Sequence, residues 1–91
     1  MKPEYANLTN NLLQQYHQKI TTLRALPAVA EEVRQFSQND HAFRLSVGLE
    51  GLLSVARAAG DAGSADTLES IISQCNYGTV PQPFCVEFFT A

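Results

Sequence analysis

A chain of 91 residues with a net charge of −3 and only 16% charged side chains has room for one domain with a thin core. All six Lys and Arg lie at or before Arg57, and the stretch after it carries only acids, Asp61, Asp66, Glu69 and Glu87. That distribution excludes phosphate-backbone recognition by the back third, which would need clustered cations. No run reaches the ~18 apolar residues of a membrane span.

The first helix is expected to start near Pro3, because proline suits a first turn and Glu4 suits the positive end of the helix dipole. Tyr5, Leu8, Leu12, Tyr16, Ile20 and Leu23 recur at three- and four-residue steps and form one apolar stripe, widened by Leu13 and Leu26. The helix should end near Arg24 or Ala25, since the residue before Pro27 avoids helical geometry.

Pro27 is expected to open a second, shorter helix with Val29, Val33 and Phe36 as its stripe and Glu31 and Glu32 near its start. Ser37-Gln38-Asn39-Asp40 reads as a turn, with Asp40 as N-cap of a third helix from His41 to about Ala59. On that helix Leu45, Leu49, Leu52, Leu53, Ala56 and Ala59 share a face, with Phe43 and Val47 beside it. Gly48 and Gly51 lie in its interior, where each costs about 1 kcal/mol relative to alanine. Either a neighbouring helix approaches closely there or packing tolerates the loss. Gly60 suits a left-handed helix end.

Asp61 or Ser64 can cap a fourth helix running to Gln74 or Cys75, with Ala65, Leu68, Ile71, Ile72 and Cys75 inward. It forms an antiparallel hairpin with the third. Beyond Asn76-Tyr77-Gly78, Pro81 and Pro83 exclude helix. Phe84, Val86 and Phe88 alternate with Cys85, Glu87 and Phe89, as in a strand of period two.

Chain ends are usually polar and frayed. Three of the five phenylalanines lie in the last eight residues, so this end is expected to dock on its own core or on another chain. Aromatic anchors dominate interface energetics, which makes Phe84, Val86, Phe88 and Phe89 the candidate protein-interface residues.

The chemistry-bearing residues are sparse. Cys75 and Cys85 could be joined, at about 2–3 kcal/mol for so short a loop, or serve as small buried hydrophobes. Neither has a cationic neighbour in sequence to activate a thiolate. His17 and His41, the only histidines, lack zinc-ligand spacing. His17 is expected on the surface of the first helix and His41 in the first turn of the third. Glu31 and Glu32 point in different directions on a helix and do not make an acid/base couple. No serine lies in a nucleophile elbow, and Gly60-Asp61-Ala62-Gly63 lacks the lysine of a phosphate loop. The fourth helix carries Asp66 and Glu69 and no cation, unlike a recognition helix. Lys19, Arg24, Arg34, Arg44 and Arg57 are read as scattered surface charges. The segment Met1–Asn7 has no apolar stretch of the signal-peptide kind, so the expected location is the cytoplasm.

The sequence thus predicts an all-α fold, a small three- to four-helix bundle over residues 1–78 with an extended apolar C-terminal tail over 79–91. The expected core is Leu12, Tyr16, Ile20, Leu23, Val33, Phe36, Leu45, Leu49, Leu52, Leu53, Leu68, Ile71 and Ile72. The expected function is non-enzymatic: a protein-binding module of the adaptor, inhibitor or immunity-regulator kind, with a protein partner that includes a second copy of the chain as a homodimer. No cofactor, metal, nucleic acid or membrane is expected. The alternatives are a small accessory subunit of an enzyme complex, and a small-molecule or metal-binding bundle using His17, His41 and the cysteines.

Overall fold

The computed structural model describes residues 1–83. Three helices follow one another, α1 (Pro3–Ala25), α2 (Glu31–Ala58) and α3 (Ala62–Asn76), and the described residues contain no strand. Each helix runs antiparallel to the next, and α2 packs against both others. The molecule is elongated, 47 × 23 × 17 Å. At 1.5 Å per residue α3 is about 22 Å long and α2 about 42 Å, so α3 covers only half of α2. The far halves of α1 and α2 extend beyond it as a two-helix hairpin.

The expected break at Ser37-Gln38-Asn39-Asp40 is absent. Residues 37–40 are interior to α2, and the second and third expected helices are one. Asp40 is therefore no N-cap, and His41 lies in mid-helix. The polar tetrad contains no glycine or proline, and its weak helix formers cost only tenths of a kcal/mol each. Side-chain pairs at helical spacing offset that cost: Gln35 donates to Asn39 at 3.1 Å and Arg44 donates to Asp40 at 2.8 Å.

Pro27 likewise does not open a helix, because α2 begins at Glu31. Leu26 to Ala30 form the connection, in which Ala28 takes a positive φ of 58°. Arg34 holds this turn by donating to the Leu23 carbonyl at 2.8 Å and the Leu26 carbonyl at 3.2 Å. Both carbonyls lie at the end of α1, past its regular hydrogen-bond ladder, and the Leu23 carbonyl also accepts from the Leu26 backbone N–H at 3.3 Å.

The second connection follows its residue chemistry. Gly60 adopts φ 71°, the left-handed geometry that glycine takes without strain. Asp61 caps α3: its carboxylate accepts from the Ser64 backbone N–H at 3.1 Å and from the Ser64 hydroxyl at 2.7 Å. These bonds, with Lys2 at 4.0 Å, hold the Asp61 carboxyl below its ordinary value. Lys2 also ties the start of α1 to α3 through a 3.2 Å bond from its backbone N–H to the Ser64 hydroxyl. Arg57 pairs with Glu69 across the α2–α3 hairpin.

Leu13, Leu45, Leu49, Leu53, Ala56, Ala65, Leu68, Ile71 and Ile72 form the central core cluster. Ile20 and Leu23 are also buried, and Ala6 and Leu13 are fully so. Leu12, Tyr16 and Leu52 pack at its edge, half-buried. Two expected core residues are not in the core: Val33 and Phe36 are exposed, because they point away from α1 on a part of α2 that α3 does not reach. The interior glycines divide. An alanine Cβ at Gly48 would stand 2.9 Å from Leu12 Cδ2, whereas one at Gly51 would meet nothing within 4 Å. Close helix approach therefore accounts for Gly48 only.

Candidate functional site

The long helix is apolar on two opposite sides. At about 100° per residue, Leu45, Leu49, Leu53 and Ala56 share the inward side and are buried. Val33, Phe36, Phe43 and Val47 fall on the outward side and remain 55%, 72%, 67% and 52% exposed. Their spacing is three, seven and four residues, with Asp40 completing the seam between the phenylalanines. This is the one-in-seven, four-in-seven spacing of helices that pair along a stripe. A helix that is apolar all round is ordinarily buried, and here one side has no cover among the described residues. The seam is flanked by Glu32, Asn39, Ser46 and Glu50 on one side and by Ser37, Arg44 and the open Gly51 on the other.

Sequence reasoning assigned these four residues to the core or its edge. The signal that would have found the face is the double periodicity of a continuous helix over 31–58, which the supposed turn at 37–40 concealed. The residues it did assign to the interface, Phe84, Val86, Phe88 and Phe89, lie outside the described residues, as does Cys85.

The chain leading to that segment is tied down at its start. Val80 packs against the core cluster, and His17 Nε2 donates to the Pro81 carbonyl at 2.8 Å. Instead of a solvated histidine, His17 is half-buried and anchors the segment after α3 to α1. The groove there, between Tyr16, Ile20, Arg24 and the Gly78–Gln82 stretch, holds about 370 Å³ and is polar.

His41 lies elsewhere, in the cleft between α1 and α2 with Lys19, Tyr16 and Arg44. Its Nδ1 is buried and has no hydrogen-bond partner among the described residues. The cavity there is about 50 Å³, room for ordered water but far below the ~300–1,000 Å³ of a small-molecule site. Lys19 and Arg44 meet at this cleft, while Arg34 serves the α1 terminus and Arg57 pairs with α3. Among the described residues no group of three His, Cys, Asp or Glu side chains is placed to hold a metal. The Cys75 thiol is free, and burial pushes it above its ordinary value, which leaves little thiolate at neutral pH. No helix among the described residues is long and apolar enough to cross a membrane.

No protein-family model, no curated protein and no solved structure matches this chain.

Proposed function

We propose that the protein is a non-enzymatic protein-binding module whose contact surface is the outward side of α2. The observation that carries the reading is the exposed seam of Val33, Phe36, Phe43 and Val47. Exposed apolar groups in a contiguous row are a marker of association surfaces, and phenylalanines presented by a rigid helix anchor well because few side-chain torsions have to be frozen. Helices recognise partners through residues spaced three, four and seven apart, and this seam has that spacing on a helix whose other side is locked into the core. The low charge of the chain, 16%, lowers the desolvation cost of covering such a surface.

The test is site-specific photocrosslinking in cells that make the full chain, with the photoreactive group at position 36 or 43. Protein adducts from these positions, and none from the still more exposed position 77, support the reading. Absence of adducts at both seam positions refutes it.

A further inference from the structure

We infer that the occupant of the α2 seam is a second copy of this chain, paired antiparallel about a two-fold axis at the level of Asp40. The inference rests on the protein-binding reading above and names its partner.

The seam reads Val33, Phe36, Asp40, Phe43, Val47, and its residue types are the same in both directions from Asp40. Symmetric pairs bury the same patch on both subunits, so a patch whose chemistry is mirror-symmetric about its own centre suits a two-fold axis there. With two α2 helices antiparallel and their Asp40 residues level, Val33 of each chain faces Val47 of the other, and Phe36 lies one residue, about 1.5 Å along the axis, from level with the other chain's Phe43. Every exposed apolar residue of the seam then meets an apolar residue. A parallel pair also sets apolar against apolar, each residue facing its own copy, but makes no use of the mirror order.

The seam spans 14 residues, about 21 Å of helix. Its four side chains offer on the order of 400 Å² of apolar surface per chain. Two such faces, with the polar side chains that flank them, reach the lower edge of specific interfaces, about 1,200 Å² in total. An interface at this lower edge is of the transient, reversible kind. Asp40 keeps it so. Two carboxylates meet at the axis, each held by its own Arg44 at 2.8 Å, and a charged residue at the centre of a helical seam fixes register at a cost in affinity.

Sedimentation velocity of the full chain over a range of concentrations tests the pairing. Wild type should shift from monomer to dimer across the micromolar range. Phe36→Arg and Phe43→Glu should each stay monomeric while keeping wild-type helicity, since both positions are largely exposed in the fold. An equimolar mixture of the two variants should dimerise again, because the introduced arginine of one chain faces the introduced glutamate of the other across an antiparallel seam. Asp40→Leu should tighten the dimer at least tenfold. A wild-type monomer at every concentration overturns the inference, and so does a mixture no better than its components.

Crosslinking separates this failure from failure of the parent reading. With mixed isotope-labelled chains and the photoreactive group at position 36, an adduct joining two chains near position 43 supports the dimer. An adduct to a different protein, or to residues 84–91 of the same chain, overturns the second copy as occupant. The first of these leaves the protein-binding reading intact, and no adduct from position 36 or from position 43 removes both.

Discussion

Replacing each interior glycine of α2 by alanine separates helix propensity from helix packing. Alanine gains about 1 kcal/mol over glycine in a helix interior, and that gain is common to both sites. At Gly51 the new methyl meets nothing within 4 Å, so the full gain is expected. It should raise the melting temperature by about 4–8 °C for a domain of this size. At Gly48 the new Cβ would lie 2.9 Å from Leu12 Cδ2 and 3.1 Å from Leu12 Cδ1, well inside the ~3.5–4.0 Å of ordinary carbon contact. Leu12 is half-buried and touched at the far end of its side chain, so it can turn aside at the cost of its own packing. Overpacking of this kind costs about 1–3 kcal/mol, which leaves Gly48→Ala between neutral and about 2 kcal/mol destabilising. Urea unfolding of both variants, with unchanged denaturant slopes, gives the comparison. In a Leu12→Ala background the obstruction is gone, and Gly48→Ala should then stabilise like Gly51→Ala. Equal stabilisation by both alanines in the wild-type background would refute the close approach of α1 to α2 at this level.

Thr9 is fully buried, and its hydroxyl has no hydrogen-bond partner among the described residues; Thr9→Val keeps the shape and should stabilise by about 1 kcal/mol in the same unfolding assay. Ala28→Gly should stabilise by up to about 1 kcal/mol, because glycine takes the positive φ of 58° without the side-chain clash that alanine suffers; calorimetry reads it as a higher melting temperature. The Asp61 carboxyl is lowered in the folded chain, first by the Ser64 hydroxyl bond and then by the Ser64 backbone bond. Its contribution is therefore fully present above the ordinary carboxylate value of 3.8 and is lost as pH falls through the lower folded value. Asp61→Asn should flatten that part of the stability profile, measured as denaturation midpoint against pH. The Cys75 thiol, raised by burial, should react with a maleimide more slowly than a free cysteine at neutral pH and accelerate as pH rises.

Much of the chain was legible from local chemistry. Pro3 and Pro27 bracket α1, Gly60 and Asp61 mark the α2–α3 turn, and the 3–4 spacing of Leu68, Ile71 and Ile72 gives the inner side of α3. These signals act over a few residues, through fixed φ, capping bonds and periodicity, and so they survive without knowledge of the rest of the fold. The all-helical character follows from them.

The middle of the chain was not legible in the same way. Ser37-Gln38-Asn39-Asp40 has the composition of a turn, yet the tetrad is helical, because continuation costs little when no residue forbids it. The helix–helix contacts on either side then carry the four residues along. Which apolar residues are core was decided later still. Val33, Phe36, Phe43 and Val47 are as apolar as Leu45 and Leu49, and periodicity places them on a helix face without saying whether that face has a neighbour. Two things settle the matter: α1 and α3 both pack on the Leu45, Leu49 and Leu53 side of α2, and α3, with 15 residues against the 28 of α2, ends short of Val33 and Phe36. Hydrophobicity is a property of each residue, readable in the sequence, whereas burial depends on what reaches that residue in space, and only the tertiary structure supplies that.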